Sequence, residues 1–219
     1  MGCRVVRAVL WDMDGTILDS LPAIHAAANA ALARQSMPPV GLATLRPWVG
    51  TPIREIFAAL GARRDALDSM VAQYRMAYGT EATRAFPGMA EVLQALSRAG
   101  VRQAIVTTKN ERLARRILGE HGLADLFQAV VGENGTRPLK PHPQSLFDAC
   151  SELHVVADQA VMVGDTSHDL AAALAAGIRF IGVSWGYGDV ETMRRPGIEV
   201  AESPRSLQTI LASRFPVRA

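Results

Sequence analysis

The chain has 219 residues, 49% of them hydrophobic and 20% charged, which allows one sizeable globular core with a smaller appendage. Its formal net charge of +2, spread along the sequence, excludes a nucleic-acid or anionic-membrane binder that works by bulk charge. The two cysteines, Cys3 and Cys150, lie too far apart in sequence to suggest a metal pair, and no apolar run reaches bilayer length, so a soluble cytoplasmic protein is expected.

The first apolar run, VVRAVLW (5–11), reads as a buried strand and stops abruptly at Asp12-Met13-Asp14-Gly15. Residues 20–85 contain no strand-like run. LPAIHAAANAALARQ and RRDALDSMVAQYRMAYGTEATRA repeat Ala, Leu and Met at three- and four-residue steps, and so predict amphipathic helices, with TPIREIFAALG between them. The FPG at 86–88 marks a return to alternating structure. Strands are expected at 102–107, 128–132, 159–164 and 179–184, and helices at 88–99, 110–121, 143–153 and 167–176. The tail from 185 is punctuated by Gly and Pro and ends in one short helix. Strands alternating with helices predict an α/β fold, a parallel sheet covered on both faces. Residues 1–19 and 86–219 would form this core, and 20–85 a small all-helical domain above the strand ends.

In such sheets ligands bind at the carboxyl ends of the strands. There the first strand offers Asp12 and Asp14. The second offers Thr107 and Thr108, the third leads through GENGTRPLKPHP to Lys140, and the fourth ends in GDTSHD with Asp165 and Asp169. Four carboxylates gathered on one edge repel one another, and a divalent cation resolves the repulsion. All-oxygen ligands favour Mg²⁺, which commonly binds one or two carboxylates plus substrate phosphate. Lys140 and the hydroxyls then suit the phosphate. On an extended chain, residues i and i+2 project to the same side. Asp12 could therefore attack phosphorus while Asp14 handles the leaving group's proton.

With these residues assembled, the chain resembles the haloacid dehalogenase superfamily over nearly its whole length. DMDGT matches the nucleophile motif, VTT the hydroxyl motif, Lys140 the lysine position and GDTSHD the terminal acidic motif. FPGMAEVLQALSRAG, KPHPQSLFDAC and SWGYG further resemble the phosphoglycolate phosphatase branch. The resemblance implies a Rossmann-like three-layer core with a helical cap inserted after the first strand. It also implies an Mg²⁺-dependent phosphatase of a small phosphorylated metabolite, monomeric or homodimeric, working through an aspartyl-phosphate. Asp12 would be nucleophile and metal ligand, and Asp14 the acid/base that lends its backbone carbonyl to the metal. Thr107, Thr108 and Lys140 would bind phosphate, Asp165 would ligate the metal, and Asp169 would orient metal-bound waters or Lys140. Thr108 stands where this branch often has Asn.

Other readings are narrowed by particular residues. Asp14 argues against a dehalogenase, and the lack of any Lys in 20–85 argues against a Schiff-base hydrolase of the same branch. His25 sits one residue out of register for a hexose-phosphate mutase, although Arg54 keeps that alternative alive, beside a pyrophosphatase. A receiver-like phospho-switch lacks both the helical segment and the Asp12-x-Asp14 pair. Thr51 and Arg54 lie where the helical segment should face the site, and are candidates for substrate specificity. Asp12 and Asp14 alone would fit a turn, Asp165 a helix N-cap and Asp169 a surface acid. Lys109 is expected to start a helix and face solvent, His168 to face solvent or a cap, and Trp185 and Tyr187 to pack around the GYG turn.

Overall fold

A computed structural model describes residues 6–79 and 82–215. Cys3, Val5 at the head of the expected first strand, and Thr80 and Glu81 within the expected last cap helix lie outside the described residues. Five strands run where β-branched and small apolar residues cluster: β1 (Ala8–Trp11), β4 (Arg102–Asn110), β5 (Ala129–Glu133), β6 (Ala160–Gly164) and β7 (Arg179–Val183). With β8 (Glu199–Ala201) they form a parallel six-stranded sheet in the order β5-β4-β1-β6-β7-β8. β1 sits centrally, with Trp11 level with both Ile105 and Val163. The chain builds outward from β1 on one side and then the other, so the ends of β1, β4 and β6 flank a topological switch point.

Alternation along each strand sorts the core into two layers. Val9, Trp11, Ile105 and Val163 pack with α5 (Met89–Arg98), α6 (Glu111–Glu120) and α9 (Pro204–Ala212). Ala8, Leu10, Val106 and Met162 pack on the other face with α7 (Gln144–Glu152) and α8 (Ser167–Ala176). Near-continuous apolarity along the strands is what burial on both faces demands. No helix among the described residues is long and apolar enough to cross a membrane.

Between β1 and β4 the chain forms α1 (Leu21–Arg34), α2 (Leu42–Leu45), α3 (Ile53–Ala59) and α4 (Leu67–Ala77). One apolar cluster runs without a break from Trp11 through Met13 and Ile17 into Ile24, Phe57 and Tyr74 of these helices. Two short strands, β2 (Leu18–Asp19) and β3 (Arg84–Ala85), pair antiparallel where this segment leaves and rejoins the sheet.

The structure departs from expectation at four places. The segment 20–85 is not free of strand, because Arg84–Ala85 pairs with Leu18–Asp19. Its last helix stops at Ala77, where Tyr78 turns to an extended ψ of 102° ahead of Gly79. β4 does not end at 107 but continues to Asn110 through a shift in its register with β5. β8 in the tail is a three-residue edge strand, too short and polar for an apolar run to announce it.

Candidate active site

Asp12 follows the last residue of β1, and Asp165 the last residue of β6. A carboxylate oxygen from each of Asp12, Asp165 and Asp169 lies within 4.8 Å of the others, all three side chains buried. Lys140 reaches into this group from the loop after β5. Its Nζ donates to Asp12 Oδ1 at 2.6 Å, Asp169 Oδ1 at 2.6 Å and the Val106 carbonyl at 2.7 Å, which uses all three ammonium protons. A buried ammonium is tolerated only when it is paired in this way.

The partners of the acids distinguish their positions. Asp169 spends its second oxygen on the Thr166 N–H and hydroxyl, capping α8. Its other oxygen takes Lys140, so Asp169 ties that lysine to α8. Asp165 Oδ1 accepts from Thr16 Oγ1 at 3.0 Å, and its Oδ2 from the N–H groups of Tyr187 at 2.7 Å and Gly188 at 3.3 Å. Gly15, at φ +88°, passes so close that a Cβ there would meet Asp165 Oδ2 at 2.3 Å. Asp12 Oδ2 is buried and has no hydrogen-bond partner. Such an orphaned acceptor beside two further carboxylates is what a cation site requires. Asp12 and Asp165 could hold a hard divalent ion there, with Asp169 the third carboxylate of the group.

The electrostatics agree. Burial first, then the charges of Asp169 and Asp165, push the Asp12 carboxyl well above its usual range against the pull of Lys140. Burial, then the Asp169 charge, pushes Asp165 up to about 7, opposed by the Tyr187 N–H and the Thr16 hydroxyl. A bound cation would reverse both shifts.

Asp14 occupies the near edge. Its Oδ1 accepts from Ser20 Oγ at 2.5 Å, and its Oδ2 lies 3.2 Å from Lys109 Nζ. Lys109 corrects the expectation of a helix-starting, exposed lysine. The extension of β4 carries it inward, where it is buried and lies over the Tyr78 ring at 4.4 Å. Thr107 is buried, and its hydroxyl oxygen accepts from the Lys109 N–H at 3.1 Å.

Above these residues lies a cavity of about 570 Å³ walled by the helical segment and the strand ends. Asp14, Thr108, Lys109 and Lys140 line its floor. Thr51 and Arg54 line it from the helical side, and His168 also faces it. Arg54 pairs with Asp68, both largely exposed, a contact worth at most about 1 kcal/mol, so Arg54 is cheaply recruited by another anion. His25 does not join the site; its Nε2 lies 2.8 Å from the Val40 carbonyl oxygen.

Comparison with known proteins gives this geometry a family. The model for haloacid dehalogenase-like hydrolases matches residues 9–183. The chain belongs to the haloacid dehalogenase-like hydrolases. A phosphoglycolate phosphatase of Xanthomonas campestris pv. campestris is 37% identical over 93% of this chain and 96% of its own. Another, from Rhodospirillum rubrum, is 37% identical over 83% of this chain and 80% of its own. The crystal structure of a predicted phosphatase from Clostridium acetobutylicum superposes with a TM-score of 0.87, covering 96% of this chain and all of that one at 24% identity, a likeness of fold.

This haloacid dehalogenase-like hydrolase also uses residues that sequence reasoning passed over. Thr16 and Ser20 hold Asp165 and Asp14 by their hydroxyls. Tyr187 does more than pack, since its hydroxyl donates to Asp19 at 2.7 Å and accepts from the N–H groups of Ser20 and Leu21 at 2.7 and 3.0 Å. Thr16 stood within DMDGT, so the motif already contained it. Lys109 carried a signal too, as one of only two lysines in the chain.

Proposed function

We propose that the protein is an Mg²⁺-dependent phosphatase that hydrolyses a small anionic phosphomonoester, phosphoglycolate or a close analogue, through an aspartyl-phosphate on Asp12. The convergence of Asp12, Asp165 and Asp169 around Lys140, beneath a cavity of metabolite size, carries this reading. The phosphoglycolate phosphatases among its relatives support the substrate class.

In the first half-reaction an Asp12 carboxylate oxygen attacks phosphorus and the bond to the leaving oxygen breaks. Asp14 delivers its proton to that oxygen. In the second, water attacks phosphorus, Asp14 takes the water's proton, and the bond from phosphorus to Asp12 breaks to release inorganic phosphate. Thr107 and Thr108 receive the phosphoryl oxygens, and Lys140 gives up its bond to Asp12 to donate to one of them. A bound Mg²⁺, held by Asp12, Asp165 and the Asp14 carbonyl, would neutralise the converging carboxylates and the charge of the phosphoryl group. Asp169 keeps Lys140 aimed at Asp12. The helical segment, 20–85, serves as a cap that excludes water, with Thr51 and Arg54 facing the substrate's leaving group.

A panel of phosphomonoesters assayed with Mg²⁺ tests the reading. Phosphoglycolate and similar carboxylated esters should release phosphate fastest. Asp12→Asn should abolish turnover while the protein stays folded, and chelation of the metal should stop the wild-type reaction. Turnover by Asp12→Asn would falsify the nucleophile, and an unaffected rate under chelation would remove the metal.

A further inference from the structure

The Asp12-x-Asp14 pair is matched by a pair of lysines. The chain's only two, Lys109 and Lys140, are both buried, and each meets one of the two acids. Lys140 belongs to the phosphate machinery already described, whereas Lys109 has had no role.

We propose that Lys109 is a positioning residue for Asp14, seated jointly by the sheet and by the aromatic rings of the helical segment. The proposal rests on the reading of Asp14 as acid/base. Three observations carry it. First, Lys109 Nζ and Ser20 Oγ meet the two oxygens of Asp14 from different elements, and together they fix the rotation of that carboxylate. Proton transfer demands that constancy, since a misplacement of about 1 Å at a reacting group costs about 10²-fold in rate. Second, the Lys109 backbone is held by the core. Its N–H donates to Thr107, and the fold presses its carbonyl so near Gly132 that a Cβ there would come within 2.6 Å of the oxygen. Third, its ammonium is held from the other side. Nζ sits over Tyr78, whose ring packs edge-on against Tyr74 at 5.7 Å, and Tyr74 packs likewise on Phe57 at 6.3 Å, deep among the cap helices. Arg116 of α6 donates to the Tyr78 carbonyl at 2.8 Å and so holds Tyr78 in register with the core. The cap thereby touches the chemistry through one cation: a displaced Tyr78 frees Lys109, and a freed Lys109 leaves Asp14 held by Ser20 alone.

Steady-state kinetics with Mg²⁺ on two substrates test this. An alkyl phosphomonoester needs its leaving oxygen protonated, whereas p-nitrophenyl phosphate does not. Lys109→Met should lower kcat/KM, which reports the first half-reaction, about 10–100-fold on the alkyl ester and about tenfold less severely on p-nitrophenyl phosphate, while the lost cavity charge raises KM for both substrates alike. Lys109→Arg should recover part of the loss, because a guanidinium still donates to Asp14. Tyr78→Leu should reproduce a milder form of the same pattern, which reads the device from the cap side should Lys109→Met fold poorly. A wild-type kcat/KM on the alkyl ester in Lys109→Met, or an equal loss of kcat/KM on both substrates, would overturn the positioning role. Asp14→Asn separates the two layers. If it is inactive on the alkyl ester while Lys109→Met is unimpaired, only the role of Lys109 fails; if Asp14→Asn itself works at wild-type rate, the acid/base reading falls and the positioning role with it.

Discussion

The Asp165 carboxyl, pushed up to about 7 by burial and by the Asp169 charge, couples stability to pH. Its folded value lies above its ordinary 3.8, so between these two values the folded state binds more protons than the unfolded one. This group's contribution to the stability of the metal-free protein is therefore complete below 3.8 and is lost as pH rises through about 7. Asp12, raised for the same reasons, adds in the same direction. A cation bound by these carboxylates, as proposed, would compete with those protons, and its stabilising effect would run the other way. Saturating Mg²⁺ should raise the melting temperature more at about pH 8 than at about pH 5.5. Thermal melts at both values, with and without the ion, measure the difference. An equal shift at the two would mean that the ion does not displace protons from these carboxylates.

The N-terminus of α1 shows how one side chain from the far end of the chain completes an element. Ser20 occupies the N-cap but does not cap, because its hydroxyl is turned to Asp14. The orphan N–H groups of Ser20 and Leu21 go instead to the Tyr187 hydroxyl. Tyr187→Phe should leave the buried Ser20 N–H unpaired and destabilise the protein by about 1–3 kcal/mol, read by urea denaturation. A midpoint equal to wild type would show that water or a shifted Ser20 takes over the bond. No local pattern announces such a contact, because the two residues lie 167 positions apart. The same division runs through the whole fold. The five main strands and the acids at their ends were legible, since burial on both faces writes itself as unbroken apolarity and charge ends it abruptly. The inward turn of Lys109 was not, because it depends on a register shift between β4 and β5 that only their pairing creates. The ribbon of β2 and β3 was hidden for the same reason: two residues on each strand pair by where the chain returns, not by what they are.

At the scale of the molecule, a formal charge of +2 describes the surface average and conceals the field inside the cavity. Arg54, Arg75, Lys109 and Lys140 face that space, against Asp14, Glu55, Asp68 and Glu133. Glu133, at the end of β5, pairs with Arg75 of α4 at 2.5 Å and accepts from Asn110 at 3.0 Å, and so joins the sheet to the helical segment at the cavity wall. Both partners of the ion pair are partly exposed, at 39% and 26%, so its loss should cost stability no more than about 1 kcal/mol. Its effect on an incoming anion is of another kind. A unit charge acting across about 10 Å at the solvent-like effective dielectric of about 80 expected in an open cavity is worth about 0.4 kcal/mol per substrate charge. Glu133→Gln removes that repulsion and releases Arg75, while the amide oxygen still accepts from Asn110. KM for a carboxylated phosphomonoester should therefore fall about 2–10-fold at low ionic strength, and the gain should shrink as salt screens the cavity. For an ester with an uncharged leaving group the fall should be smaller, because fewer charges feel the change. An unaltered or higher KM for both esters at every salt concentration would mean that the Glu133 charge does not reach the substrate, and that the cavity selects by shape and by its remaining cations alone.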